Sequence, residues 1–418
     1  MSYEKLGLKC GLEIHQQLEG RKLFGPYPTI ITQDNSYDFE IRRFIRAAQG
    51  EGGKIDVAAK QEQQRRKQFI YRGSHQSAGL IEIDEEPPIP FDEKAFKASL
   101  QFCKMVEAVV SPVVQVMRKT VADGSNTSGF QRTALVGRDG KLGNVRIANV
   151  CLEEDSCRIL EENAESKTYH LDRLGIPLIE VGTEPDIRTP DQAKEVAAQL
   201  GMMLRSLPNV KRGLGTIRQD VNVSIRGGTR VEIKGAQDLK QIPLLIELEV
   251  KRQAELLKIR EELRHHRLNP LEIVDLTVLL EGCSSKVIID KTVMGIKLHD
   301  FTGLLGRELQ PNYRVGSEFS GRAKILAGVK GIFHSDELPN YGITDREVKL
   351  LRKKLKCNLQ DGFVLVAGSL ERCRIALKAV HARALELWDG VPKEVRRASA
   401  DGTTTYMRPM PGAARMYP

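Results

Sequence analysis

Asp220-Val221-Asn222-Val223-Ser224-Ile225, then Arg226-Gly227-Gly228, then Thr229-Arg230-Val231-Glu232-Ile233-Lys234 read as two alternating strands around a glycine turn. Successive side chains of a strand point to opposite faces, so each run carries one polar set and one apolar set. Turn length decides whether the polar sets meet. A two-residue Gly227-Gly228 loop would set Ser224 opposite Val231 and mix polar with apolar on both faces, which a half-buried sheet avoids. A three-residue loop over 226–228, with a glycine in the left-handed position, sets Asp220 opposite Lys234, Asn222 opposite Glu232 and Ser224 opposite Arg230. One face is then wholly polar and holds an opposite-charge pair.

Other runs repeat this pattern. Gly11-Leu12-Glu13-Ile14-His15-Gln16-Gln17-Leu18 places Glu13, His15 and Gln17 on one face of a strand and Leu12 and Ile14 on the other. The acidic run Leu152-Glu153-Glu154-Asp155 precedes Asp172-Arg173-Leu174-Gly175-Ile176-Pro177-Leu178-Ile179-Glu180-Val181-Gly182-Thr183-Glu184, where Glu180 and Glu184 alternate with apolar residues. Glu13, His15, Glu153 or Glu154, Glu180 and Glu184 are candidate metal ligands, an oxygen-rich set with one imidazole. Such a set suits Mg²⁺, whereas zinc would call for more grouped histidine or cysteine. Taken singly, a strand histidine is more often a hydrogen-bonded structural residue, and glutamates on a sheet face are usually solvated. Arg218 and Lys234 are candidate phosphate clamps, with ion pairs to Asp220 or Glu232 as the alternative. Asp220 and Asn222 share their polar face. No GxxxxGK[ST] loop occurs, so a P-loop site is excluded. Asp123-Gly124-Ser125-Asn126-Thr127-Ser128-Gly129-Phe130-Gln131-Arg132-Thr133 reads either as an ordered ligand loop offering Ser128 and Gln131 or as a plain turn.

A chain of 418 residues implies two to four domains. The class is α+β. Thr189-Pro190-Asp191-Gln192 opens a helix with apolar residues at Ala193, Val196, Ala197, Leu200, Leu204 and Leu207, ended by Pro208. A second helix runs from Gln241 to His266, its charges read as solvation. After Gly282 the pattern becomes a separate α+β domain. Its expected strands are Lys286–Ile289, Ala323–Ala327, Gly331–His334 and Phe363–Ala367, with helices Asp345–Lys356 and Leu370–Trp388. Lys54 to Arg72 reads as a charged helix passing into a strand at Phe69-Ile70-Tyr71, its basic cluster more naturally a solvated face than an RNA contact. Seven scattered cysteines, none in a CxxC pair, argue against a disulfide framework and for reduced core residues. No apolar run is long enough to span a membrane and no secretory leader opens the chain, so a cytoplasmic protein is expected. The net charge of +9 suits a polyanionic partner or a basic surface serving solubility. Few aromatics mean that phosphates and shape would dominate any RNA recognition.

KLGLKCGLEIHQQL, VADGSNTSGFQRTALVG, CLEEDSC, DRLGIPLIEVGTEPDIRTP, IRQDVNVSI, RVEIKGAQDL and YMRPMPGAARMYP together resemble the E subunit of the archaeal-type glutamyl-tRNA(Gln) amidotransferase, a relative of the bacterial B subunit. The resemblance implies an antiparallel-sheet cradle domain at 1–283 that holds ATP and Mg²⁺. It implies an inserted domain similar to that of bacterial aspartyl-tRNA synthetases at 284–398, and a return to the cradle at 399–418. It also implies ATP-dependent phosphorylation of the glutamyl side chain of Glu-tRNA(Gln), then amidation by ammonia. Glu13, His15, Glu154 and Glu180 become the catalytic candidates. Ser128, Gln131, Arg218, Asp220, Asn222 and Lys234 become the nucleotide candidates, and Glu13, His15, Glu153, Glu154, Glu180 and Glu184 the metal candidates. The implied partner is the D subunit of the amidotransferase, an asparaginase-like glutaminase that supplies ammonia, in a heterotetramer of two D and two E subunits. Two departures stand out. Lys22-Leu23-Phe24-Gly25-Pro26-Tyr27-Pro28 lacks the cysteine pair that often follows KLF, and the helical and tail domains that follow the MYP run in the family are missing. A non-catalytic tRNA-binding or assembly module of the same complex is the alternative.

Overall fold

The computed structural model describes residues 2–44, 55, 59, 60, 63, 67–121, 123–163, 165–411, 416 and 417. They belong to two compact units: Met1–Val223 with Glu232–Ile246 and Arg408–Pro418, and Ser224–Val231 with Glu247–Met407. Residues 284–398, assigned above to an inserted domain, lie wholly within the second unit.

The first unit is built on antiparallel sheet. Its elements are α1 (Tyr3–Leu6), β1 (Lys9–Gln17), β2 (Phe39–Phe44), β3 (Gln68–Gly73), α2 (Glu93–Met105), β4 (Val109–Val110), β5 (Val116–Thr120), β6 (Phe130–Leu142), β7 (Val145–Glu154), β8 (Arg158–Glu162), β9 (Ser166–His170), β10 (Pro177–Thr183), α3 (Pro190–Arg205), β11 (Ile217–Ser224) and β12 (Val231–Lys234). Strands run in the order β12-β11-β1-β10-β7-β6-β5, with β4 on β6 and Met416–Tyr417 on β5. A second sheet, β2-β3-β9-β8, contains a parallel β3–β9 pair, so this unit is mixed and not purely antiparallel. Its core includes Phe69, Tyr71, Tyr169 and Leu171. Strand Phe69-Ile70-Tyr71 is present in β3; the helix expected before it falls largely outside the described residues.

Local rules explain the boundaries. Thr189 caps α3 by accepting from the Gln192 amide at 3.2 Å, and the Gln192 side chain accepts from the Arg188 amide at 2.8 Å. Ala193, Val196, Ala197, Leu200 and Leu204 are buried, as their spacing requires. In the hairpin tip, the Gly228 amide donates to Ile225 O at 3.0 Å and Gly227 takes φ 80°, the left-handed conformation that glycine adopts without a Cβ penalty. Val221, Val223, Val231 and Ile233 are fully buried while Asn222, Ser224, Glu232 and Lys234 are not, so the polar sets do share a face.

The second unit contains most of α4 (Ile242–Leu263), then β13 (Val274–Asp275), β14 (Thr292–Leu298), β15 (Glu308–Gln310), β16 (Tyr313–Arg314), α5 (Val315–Ala327), β17 (Phe333–His334), α6 (Asp345–Lys354), β18 (Gly362–Gly368), α7 (Leu370–Leu385), β19 (Glu394–Ala398) and most of β20 (Thr404–Pro409). Its four-stranded antiparallel sheet runs β13-β14-β18-β17 over a core that includes Leu276, Val293, Phe333, Leu351, Phe363 and Leu365. Three expectations need correction. Lys286–Ile289 forms turns in which the Ile288 and Ile289 amides both donate to Ser285 O, a local arrangement that wins over the β-branched composition. Ala323–Ala327 is the end of α5. Val315, Phe319, Ala323 and Ala327 recur every four residues on its buried side, and Gly328 at φ 63° stops it. The charges of α4 are not all solvated: Glu249 and Arg252 are fully buried. Arg252 spends Nε, Nη1 and Nη2 on Glu318, Glu249 and Glu394 at 2.5, 3.0 and 2.7 Å. No described helix is long and apolar enough to cross a membrane. The described cysteines form no disulfide, and all except Cys357 are buried.

Candidate active site

Strand register assembles the site. His15 on β1 stands opposite Glu180 on β10. Glu153 on β7 stands opposite Leu178, two residues before Glu180 and so on the same face. Thr133 on β6 faces Glu153, and Gln131, two residues earlier, faces Lys119 on β5. Neighbouring strands thus deliver Glu13, His15, Glu180, Glu153, Gln131 and Lys119 to one surface. Leu12 and Ile14 fill the opposite side of β1.

His15 Nε2 lies 3.3 Å from Glu180 Oε2, 3.4 Å from Glu13 Oε1 and 3.7 Å from Glu153 Oε1. Lys119 Nζ donates to Glu153 Oε2 at 2.5 Å and to Glu180 Oε2 at 2.7 Å. Gln131 Nε2 donates to Glu153 Oε1 at 2.7 Å and the Thr133 hydroxyl to Glu153 Oε2 at 3.1 Å. These bonds leave Glu153 little freedom to turn. Burial, and then the Glu180 charge, push the Glu13 carboxyl up to about 7. Burial opposes the His15 imidazolium, but the bond to Glu180 and the surrounding carboxylates prevail and raise it to about 9. Burial also disfavours the Glu180 carboxylate, yet Lys119 and His15 hold it well below its usual range. Lys119 stays charged against burial because Glu153 and Glu180 face it.

Five carboxylates, those of Glu13, Glu153, Glu180, Asp220 and Glu232, face Lys119, Lys234 and the His15 imidazole, so negative charge stays in excess even when His15 is protonated. Donor atoms of Glu13, His15 and Glu180 all lie within 4.8 Å of one another. Glu13 keeps 31% of its side chain exposed, which leaves the group reachable. Oxygen donors, excess negative charge and access fit a hard divalent cation such as Mg²⁺.

Other candidates lie elsewhere. Glu154 alternates to the far face of β7, where it binds the Arg132 amide at 3.0 Å and Arg132 Nη1 at 3.2 Å. There it lines a cavity of about 10 Å³ with Lys22, Glu82 and Ser128. Glu184 follows the irregularity at Gly182/Thr183, which breaks its alternation with Glu180, and stands outside the Glu13–His15–Glu180 group. The Ser128 hydroxyl donates to Phe130 O at 2.9 Å. The 123–133 segment is tied to its surroundings: Thr127 donates to Glu82 O at 2.7 Å, and Tyr71 to Gly124 O at 2.7 Å. Lys234 pairs with Asp220 at 2.7 Å and Glu232 at 2.6 Å, the ion-pair alternative noted from sequence. Arg218 pairs with Asp155 at 2.8 Å, not with Asp220. Asn222 Oδ1 is buried and has no hydrogen-bond partner among the described residues.

Residues 8–418 match the family model of the GatB/GatE catalytic domain. The chain belongs to this family. Over its whole length it is 51% identical to the glutamyl-tRNA(Gln) amidotransferase E subunit of Thermococcus gammatolerans and 49% identical to that of Methanocaldococcus jannaschii, covering 68% of each relative. It is 50% identical to the Pyrococcus furiosus protein of the same name, again covering 68% of it. The motif resemblance to the E subunit is thereby shown, and the GatB/GatE family is one of enzyme subunits. Sequence reading missed Lys119, the cation that ties together two clustered carboxylates of this GatB/GatE-family chain. Its signal lay in Val116-Met117-Arg118-Lys119-Thr120, a strand leading into the 123–133 loop: three carboxylates on one face require a neighbouring positive charge.

Proposed function

We propose that this chain is the activating component of a glutamyl-tRNA(Gln) amidotransferase. It transfers the γ-phosphoryl group of ATP to the side-chain carboxylate of Glu-tRNA(Gln), releasing ADP, and ammonia then displaces phosphate to give Gln-tRNA(Gln). The observation that carries the reading is the convergence of Glu13, His15 and Glu180 within 4.8 Å on one polar sheet face, with Glu153 and Lys119 against them. A carboxylate resists amination because hydroxide leaves poorly, so the reaction needs a phosphate leaving group. Bound Mg²⁺ would neutralise charge on the transferring oxygens. Glu13, His15, Glu153 and Glu180 would hold it. Gln131 and Thr133 fix the Glu153 carboxylate, and Arg218 and Lys234 offer positive charge along the same sheet.

The partner in this reading is the glutaminase, or D, subunit, in a heterotetramer of two D and two E subunits. The inserted segment at 284–398 is the part similar to bacterial aspartyl-tRNA synthetases. The test is ADP release with ATP, Mg²⁺, the glutaminase partner and Glu-tRNA(Gln), against uncharged tRNA. Release that needs the glutamyl group and is lost in Glu180→Gln and His15→Ala supports the reading. Nucleotide binding without glutamyl-dependent release would favour a non-catalytic tRNA-binding module instead.

A further inference from the structure

We infer that Asp155 is a positioning residue: it aims the Arg218 guanidinium so that the donors left free meet the phosphates of a nucleotide bound beside the Glu13–His15–Glu180 group. The inference rests on the function proposed above and adds the residue that orients its phosphate contact.

Asp155 follows β7 and is buried. Its backbone is fixed twice, the amide donating to Ile176 O at 2.7 Å and the carbonyl accepting from Gly175 N at 3.0 Å. Its carboxylate is held as firmly. Oδ2 accepts from Gln17 Nε2 at 2.7 Å and lies 3.7 Å from Arg173 Nε, which is itself held by Ser156 O; Oδ1 accepts from the Ser156 amide at 2.8 Å and from Arg218 Nη2 at 2.8 Å. Gln17 stands two residues beyond His15 on β1 and therefore on the same face. A single carboxylate thus couples the strand that carries the cation ligands to the strand that carries Arg218.

Arg218 is not spent by this bond. A guanidinium has five N–H donors, and among the described residues only Nη2 makes a hydrogen bond. The side chain stays 27% exposed. Arg252 in the second unit shows what a purely structural arginine looks like: it is fully buried, with Nε, Nη1 and Nη2 all paired. Arg218 also lies within electrostatic reach of Asp220 and of Glu153, a member of the acidic cluster. A planar fork pinned at one corner and open at the others is suited to two-point contact with phosphate oxygens.

The sign of one measurement separates positioning from charge neutralisation. If Asp155 only neutralised Arg218, removing its charge would leave more positive potential and tighten nucleotide binding. If it aims the fork, its loss weakens binding despite that gain. The experiment is Mg·ATP titration by calorimetry on the full chain as native protein, Asp155→Asn, Arg218→Ala, Arg218→Lys and the Asp155→Asn/Arg218→Ala double variant. Asp155→Asn should weaken Mg·ATP about tenfold, as loss of a supporting partner commonly does, and leave affinity for Mg²⁺ alone within about twofold. It should cost nothing further in the Arg218→Ala background, because the two residues act as one unit. Arg218→Lys, which keeps the charge without the fork, should lose as much as Arg218→Ala. Tighter or unchanged binding in Asp155→Asn overturns the inference, as does an equal loss in both backgrounds or full recovery by lysine. Should Asp155→Asn fail to fold, Asp155→Glu decides, since it keeps the charge but moves the carboxylate by one methylene: weaker Mg·ATP binding supports aiming, and unchanged binding overturns it. Native protein that does not bind Mg·ATP would overturn the proposed function and this inference with it; native binding with an unaffected Asp155→Asn sinks only the inference.

Discussion

Two groups of charged side chains, one in each unit, use similar chemistry to opposite ends. In the second unit, Glu318 accepts from Arg252 at 2.5 Å, Arg383 at 2.6 Å and Arg396 at 3.4 Å, while Glu394 binds Arg252, Arg322 and Arg396. Glu249 adds a further bond to Arg252, and Glu386 one to Arg322 at 3.0 Å. Four arginines meet four glutamates, most of them sealed from water, and the charges cancel. In the first unit, Glu13, Glu153 and Glu180, with Asp220 and Glu232 beside them, meet Lys119, Lys234 and a histidine, and one edge stays open. A balanced, closed network fixes architecture; an unbalanced, accessible one retains attraction for a cation that is not part of the chain. The number of carboxylates does not separate a site from a brace. Their surplus over nearby cations, and the access to them, does.

The largest effect is expected at Glu318. Glu318→Ala leaves buried guanidinium groups without their shared counter-charge and should cost about 3–5 kcal/mol. Trp388, the single tryptophan, lies in the second unit and reports this unfolding by fluorescence in denaturant. Next in size, Glu180→Gln or His15→Ala should lower glutamyl-dependent ADP release by at least about 100-fold, while the Trp388 transition moves by less than about 0.5 kcal/mol. An active Glu180→Gln variant would remove the site from the first unit.

Protonation provides a smaller lever. Glu13 titrates near 7 in the folded chain against 4.5 ordinarily, and His15 near 9 against 6.5. Both therefore bind protons more tightly folded than unfolded. In the metal-free chain their stabilisation is complete below those ordinary values; Glu13's is lost as pH rises from 4.5 to 7, and His15's from 6.5 to 9. Glu180, held below its usual range, works in reverse and loses its contribution as acid protonates it. A bound cation needs these groups deprotonated, so Mg²⁺ affinity should climb between about pH 6 and 9, by up to about tenfold per pH unit for each displaced proton. Calorimetry in buffers of different ionisation enthalpy would detect the released protons, and a flat profile would refute ligation by this pair. The smallest effect is expected from Glu154→Gln, which should leave Mg²⁺ affinity within about twofold, whereas Glu153→Gln next to it should lose about tenfold. Equal losses would mean that strand alternation does not separate their roles.

Local residue patterns sufficed for the alternation of β1 and β11, the shared polar face of the Asp220–Lys234 hairpin, the cap and apolar stripe of α3, and the residue types from which a cation group could be drawn. These are local properties, set by periods of two or 3.6 residues and by turn chemistry. Sequence reading went astray where a short apolar run fits two periods, as at Ala323–Ala327, and where turn bonds overrode composition, as at Lys286–Ile289. Tertiary structure alone decided which glutamates meet. Registers between distant strands place Glu153 with Glu180 and send Glu154 away, an irregularity after Gly182 removes Glu184, and β5 brings Lys119 into the acidic group. The same pairing joins Gln17, Asp155 and Arg218, which lie far apart along the chain. Such choices depend on which strand lies beside which, and the hydrogen bonds that select a neighbour are backbone bonds common to every residue except proline, so no local pattern encodes them.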